Sequence, residues 1–131
     1  MAEPRLIMFD MDGTLIDSGA IIAEHMAATF HDHGLDVPTA EMSHSIIGLS
    51  LEIAMERLAQ CDAETAILMA GTYRQHYRAM LAGGDRHEPL YAGALEALNR
   101  LRVHETSILG IATGKGLSGV NRILALHALA D

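Results

Sequence analysis

The sequence predicts an α/β fold in which a parallel sheet is interrupted by a long helical insertion. Residues 6–9 and 107–112 form two short apolar runs, each followed by polar residues, as is typical of buried strands. Between them, residues 19–84 show the apolar spacing of amphipathic helices. This segment is too long for one ordinary crossover connection, so we expect it to form a helical module of its own.

Four helices are predicted within the insertion. The first covers residues 20–33 and ends at Gly34. The others begin after Thr39, Ser50 and Asp62, because each of these side chains can accept a hydrogen bond from the first turn of a helix. The apolar residues of the fourth helix that we expect to be buried are Ile67, Leu68, Tyr77, Met80 and Leu81.

The chain then returns to the α/β part through the second strand and two more helices. These helices are predicted over residues 94–102 and 117–127. We therefore divide the chain into an incomplete α/β core, residues 1–17 and 86–131, and a four-helix insertion, residues 18–85.

Composition narrows the function classes. The chain has 131 residues, half of them hydrophobic and a fifth charged, as expected of a globular domain with a real core. Its net charge of −8 disfavours a nucleic-acid partner. Cys61 is the single cysteine, which excludes an internal disulfide. Without a signal peptide or a long apolar stretch in the sequence, we expect a soluble cytoplasmic protein with no membrane partner.

Two carboxylates, those of Asp10 and Asp12, follow the first strand. Residues two apart on a strand point to the same side, and ligands of open α/β sheets bind at the carboxyl ends of the strands. A nucleophile and a proton-transfer group would suit this position, with a divalent cation offsetting their repulsion. The alternative is that both are turn acids after an edge strand, which the preceding apolar run and the following Thr14 disfavour.

The segment FDMDGTL at residues 9–15 resembles the first motif of the haloacid-dehalogenase-like (HAD) hydrolases, most closely their phosphoglycolate phosphatase-like branch. The resemblance implies a Rossmann-like core and makes the inserted helices a cap over the active site. It also implies that Asp10 attacks phosphorus to form an aspartyl-phosphate, and that Asp12 protonates the leaving alcohol and then activates water. Mg²⁺ would be bound by the Asp10 carboxylate and the Asp12 backbone carbonyl.

The second strand ends at Thr113, which resembles the second motif of the same family. There the threonine hydroxyl and the Gly114 N–H would hold the phosphoryl oxygens, and Met11 is assigned to the same phosphate-binding set. The start of a helix independently offers unsatisfied N–H groups to an anion. The alternative is that Thr113 only leads into the helix.

Three further features have competing interpretations. Residues 114–119 match the G-x-G-x-x-G dinucleotide fingerprint, but no later strand carries the acid that would bind the ribose. Lys115 is either a candidate substrate contact or a solvated residue in the first turn of a helix. Gly48 lies in a loop that similar proteins direct toward the substrate, or is simply a helix C-cap.

Similar proteins continue past the position of Asp131 with a third-motif lysine and a fourth-motif acidic pair, which this sequence lacks. We therefore expect a fragment of a longer phosphatase, with feeble activity by itself. An exposed edge of its sheet would favour a homodimer.

The function predicted from the resemblance is that of a phosphoric monoester hydrolase dependent on Mg²⁺. Its substrate would be a small phosphorylated metabolite, with phosphoglycolate as the first choice. Two alternatives remain open: a β-phosphoglucomutase-like phosphomutase, and a catalytically inactive fragment that serves as a binding or assembly module.

Overall fold

The computed structural model describes residues 3–83 and 88–129. The predicted return to the core at residue 86 lies outside this described part. By its internal contacts the chain divides into two units, one formed by Met1–Asp17 and Pro89–Asp131 and the other by Ser18–Glu88. The elements in chain order are β1 (Arg5–Phe9), α1 (Gly19–Asp32), α2 (Ala40–Ser45), α3 (Leu51–Ala59), α4 (Ala63–Ala82), α5 (Ala94–Arg102), β2 (Ser107–Ile111) and α6 (Leu117–Leu126).

The first unit contains the predicted parallel pair of strands, so the α/β fold class is confirmed. β1 and β2 pair in register from Arg5 opposite Ser107 to Phe9 opposite Ile111. One face of this pair packs against α5 and α6. The buried core of the unit consists of Met11, Leu15, Ile16, Leu98, Val120 and Ile123.

The other face of the pair is open, which the sequence did not predict. Leu6, Met8 and Ile108 are 66, 50 and 59% exposed. They lie on one face because side chains alternate along a strand and Leu6 stands opposite Ile108. The prediction of buried strands was therefore wrong for this face of the pair in the described part of the chain. A continuous apolar run indicates that a sheet can be covered on both faces, and it does not show whether the covering elements are present.

The second unit consists of the four predicted helices, α1 to α4. The predicted caps are observed at Thr39, whose hydroxyl accepts the Met42 N–H at 3.1 Å, and at Asp62, whose carboxylate accepts the Thr65 N–H at 2.8 Å. Ser50 stands at the N-terminus of α3 but makes no capping bond with its side chain. The core of this unit consists of Met26, Phe30, Ile46, Ala54, Met55, Ala66, Met69 and Ala70.

The face that α4 buries differs from the predicted one. Ile67 and Leu68 are 61 and 63% exposed, whereas Ala66, Met69 and Ala70 are buried. The buried residues keep helical spacing, but two of the three are alanines, whose small side chains let neighbouring helices pack closely. The sequence prediction gave weight to the largest apolar side chains and was wrong for Ile67 and Leu68, whereas the other three predicted residues, Tyr77, Met80 and Leu81, are half-buried.

Across the described residues, α4 is the longest helix, and neither it nor any shorter helix is apolar enough to cross a membrane.

Candidate active site

A tight turn follows β1 and sets the position of both aspartates. The Met11 carbonyl accepts the N–H groups of Thr14, Leu15 and Ile16 at 3.2, 2.9 and 3.0 Å. Gly13 has a φ of 81°, a conformation that glycine adopts without steric strain. The chain therefore reverses direction immediately after Asp12, as the Asp-Gly pair predicts.

The apolar residues of this turn are anchored in the core, and the acids between them are not. Met11, Leu15 and Ile16 are buried, whereas Asp10 and Asp12 are partly exposed. The alternation of one buried residue between two acids leaves both carboxylates at the carboxyl end of β1. This is the position at which open α/β sheets bind ligands.

The Asp10 carboxylate is held by its own backbone. Its Oδ1 accepts the Met11 N–H at 2.7 Å, a charge-assisted bond that fixes the orientation of the carboxylate. The Met11 N–H was predicted to bind phosphate, and in this structure it is donated to Asp10 instead. Its assignment to a phosphate remains a prediction.

The end of β2 lies beside the end of β1. The Ala112 N–H donates to the Phe9 carbonyl at 2.8 Å and extends the parallel pairing by one residue. Asp10 directly follows Phe9, and Thr113 directly follows Ala112. Both residues therefore leave the sheet at its carboxyl end. The Thr113 hydroxyl oxygen accepts the Lys115 N–H at 3.1 Å and so closes a turn that includes the exposed Gly114.

Lys115 makes a charged contact at this end of the sheet. Its Nζ lies 3.2 Å from Oδ2 and 3.4 Å from Oδ1 of Asp12. The two side chains are only 14 and 20% exposed, so water screens their attraction less than it would on an open surface. The interpretation of Lys115 as a solvated residue of a helical first turn is therefore wrong. Lys115 precedes Gly116, the N-cap of α6, and joins the loops that follow β1 and β2.

Gly119 takes part in this arrangement, and the sequence prediction missed it. A Cβ atom at Gly119 would lie 3.1 Å from Cε and 3.2 Å from Cγ of Lys115, so the lysine stem crosses the bare backbone of α6. The signals available in the sequence were the spacing of four between the two residues and the fact that Lys115 is the chain's single lysine.

Gly48 belongs to the other unit, in the connection between α2 and α3. Its φ is 102° and it is exposed. This backbone conformation is rare for residues with a side chain, so the geometry of the turn is sufficient reason for a glycine here. Its role as a substrate contact remains a prediction.

The donor atoms around Asp10 suit a magnesium ion. In residues 3–83 and 88–129 no group of three or more His, Cys, Asp or Glu side chains is arranged to hold a metal. Mg²⁺ nevertheless prefers one or two carboxylates together with water and substrate phosphate. The backbone bonds of the turn go to the Met11 and Ile16 carbonyls, and none described is directed at the Asp12 carbonyl. The Asp10 carboxylate and the Asp12 carbonyl are the groups that the family resemblance assigns to the ion, and this assignment remains a prediction.

Comparison with known proteins supports the resemblance seen in the motifs. The sequence profile of the haloacid dehalogenase-like hydrolases matches residues 7–131. The chain is 29% identical to a phosphoglycolate phosphatase of Photobacterium profundum over 97% of its length, and 30% identical to that of Aliivibrio fischeri over 95%. It spans 57% of the length of each of these two relatives.

A solved structure has the same fold. A predicted phosphatase from Clostridium acetobutylicum superposes with a TM-score of 0.85 at 24% identity, covering 98% of this chain and 58% of that one. Because the family profile covers nearly the whole sequence, the chain belongs to the haloacid dehalogenase-like hydrolase family.

Proposed function

We propose that this protein acts as a magnesium-dependent phosphatase on a small phosphorylated metabolite, with Asp10 as nucleophile. The observation that supports this most is the shared sheet edge, where Asp10, Asp12 and Thr113 leave adjacent strands and Lys115 is paired with Asp12. Family membership and the phosphatase relatives agree with this chemistry.

In the first half of the reaction, an Asp10 carboxylate oxygen attacks phosphorus, and the bond from phosphorus to the substrate's bridging oxygen breaks. Asp12 gives its proton to that oxygen, so the alcohol leaves neutral. In the second half, Asp12 removes a proton from water as the water oxygen attacks the same phosphorus. Inorganic phosphate then leaves and the Asp10 carboxylate is restored.

The phosphoryl oxygens would be held at the β2 end of the site. The Thr113 oxygen already accepts the Lys115 N–H, so its hydroxyl hydrogen is available to donate to a phosphoryl oxygen. The Gly114 N–H and the Met11 N–H would contribute further donors, the latter after release from Asp10. When bound, Mg²⁺ supplies positive charge that stabilises the charge developing on the phosphoryl group.

Phosphoglycolate is the first substrate to test, because two of the relatives that this chain resembles are named phosphoglycolate phosphatase. Phosphate release from phosphoglycolate and from a panel of small phosphate monoesters is measured with and without Mg²⁺. We expect Mg²⁺-dependent release that falls at least about 1000-fold in Asp10→Asn, because the nucleophile is removed.

Asp17→Asn is the matched control, because Asp17 is an exposed acid at the end of the same turn. Its activity should equal that of the wild type. Turnover of β-glucose 1-phosphate to glucose 6-phosphate without phosphate release would favour the phosphomutase instead. Binding of neither Mg²⁺ nor inorganic phosphate would favour a non-catalytic module.

A further inference from the structure

The contact between Lys115 and Asp12 joins two loops that are 103 residues apart in sequence. The lysine stem that carries the ammonium group to the Asp12 carboxylate lies across the first turn of α6. Gly119 leaves the space for this path, since a Cβ atom there would approach the stem to within 3.1 Å. Packing of the stem against the helix backbone at Gly119 restricts its rotamers, which lowers the side-chain entropy that is lost when the pair forms.

We infer that Lys115 is a positioning residue that holds the Asp12 carboxylate in place to take the proton from water, and that packing of the lysine stem against Gly119 supports this placement. The inference rests on the proposed function, because it assigns Asp12 the proton-transfer role. It differs from the prediction made from sequence, in which Lys115 contacts the substrate directly.

Two physical arguments support positioning. Asp12 lies two residues from a second carboxylate, and a cation on its side chain offsets the repulsion between them. Asp12 lies within a turn whose backbone is held by hydrogen bonds to the Met11 carbonyl, so only its own side-chain torsions remain to be fixed. The lysine restricts these, and a displacement of about 1 Å in a reacting group can cost up to about 100-fold in rate.

The single lysine of the chain allows a test that needs no activity. An amine-acylating reagent is applied to the full chain, and mass spectrometry of the peptide containing Lys115 gives the rate of modification. We expect acylation to be several-fold faster in Asp12→Asn and in Gly119→Ala than in the wild type. Gly116→Ala is the matched control, because a Cβ there meets nothing within 4 Å. Equal rates in all four proteins would overturn the inference.

Kinetics then separate positioning from direct substrate binding. We expect Lys115→Met to lower kcat by about 10- to 100-fold with KM within about twofold of the wild type, and Lys115→Arg to recover part of the loss because its charge is kept. In the Asp12→Asn background, Lys115→Met should leave the affinity for inorganic phosphate, measured by calorimetry, unchanged. Weaker phosphate binding in that background would overturn the inference in favour of a direct contact.

Failure of the proposed function would look different. A wild-type chain that releases no phosphate from any ester would contradict the phosphatase proposal, while the acylation rates would still decide whether Asp12 holds Lys115. If Asp12→Asn leaves the acylation rate of Lys115 unchanged, the positioning role is wrong even in an active enzyme.

Discussion

The Ala112 N–H donates to the Phe9 carbonyl at 2.8 Å, and the residue after each of them belongs to the candidate site. This bond extends the parallel pairing of β1 and β2 to the point at which both strands leave the sheet. It places Asp10 and Thr113 at one edge, although 102 residues lie between them in the sequence. The geometry of the candidate site therefore follows from the register of two short strands.

The turn after β1 should depend on Gly13. Gly13→Ala places a Cβ at a φ of 81°, which costs roughly 1–2 kcal/mol of unfolding free energy for a residue other than glycine. We expect a lower Tm in thermal unfolding followed by circular dichroism. Gly116→Ala, at a φ of −63°, is the control and should change Tm much less. Equal losses in the two variants would show that the turn does not require its glycine.

The corrected face of α4 gives a matched pair of variants. Met69→Ala removes a fully buried side chain and should cost about 2–5 kcal/mol of stability. Leu68→Ala, next to it in sequence but 63% exposed, should change stability by less than about 0.5 kcal/mol. Urea unfolding measures both. A larger loss for Leu68→Ala would restore the face predicted from sequence.

The cap of α4 should make stability depend on acid pH. The hydrogen bonds from Thr65 hold the pKa of Asp62 below its ordinary value of 3.8. The unfolded chain then binds more protons than the folded one at acid pH, so the stabilisation is present above the unfolded pKa and is lost as pH falls through the folded pKa. Asp62→Asn keeps a capping oxygen but cannot titrate. Its Tm should fall less between pH 5 and pH 3 than that of the wild type, and parallel curves would contradict this origin.

Glu52 also contributes to the dependence of stability on acid pH. The Arg74 guanidinium donates to Glu52 at 2.7 Å and holds the pKa of that carboxyl below its ordinary value. Stability changes with pH in the same direction as for Asp62, because the unfolded chain again binds more protons than the folded chain at acid pH. Glu52→Gln should therefore flatten the acid limb of the Tm curve, with Glu56→Gln, an exposed acid on the same helix, as control. A control that flattens the curve equally would exclude the ion pair as the cause.

A homodimer through an exposed sheet edge remains a prediction, and the open face of the β1–β2 pair is a second apolar surface whose part in dimer formation has a specific test. Leu6→Lys with Ile108→Lys places two charges on that face, and burying unpaired charges in an interface is unfavourable. Ile67→Lys with Leu68→Lys changes an equally exposed apolar pair on α4 and is the control. In sedimentation velocity we expect dimers for the wild type and the control and monomers for the sheet variant. A wild type that is monomeric at all concentrations would refute the prediction.

Local signals predicted much of this fold. Asp62 and Thr39 cap helices where the sequence placed them, because a cap depends on a few neighbouring atoms. The two strands were found from their apolar runs. Burial was harder to predict, because the exposure of Leu6 and Leu68 is decided by distant parts of the chain that pack, or do not pack, against them.

The candidate site shows the same limit. The positions of Asp10, Asp12 and Thr113 at strand ends could be predicted from the motifs and from the rule that parallel strands end at one edge. The pairing of Lys115 with Asp12 could not, because it depends on a side-chain path across Gly119 and on the register of the sheet. A contact between side chains that are far apart in sequence can be identified only when the three-dimensional structure is known.

The central claim is that Asp10 carries the phosphoryl group during turnover. The most direct measurement is an acid quench of the protein turning over phosphoglycolate labelled with ³²P, followed by peptide mapping. We expect label on the peptide that contains Asp10 in the wild type and none in Asp10→Asn. Label on another peptide, or turnover by Asp10→Asn at the wild-type rate, would contradict it.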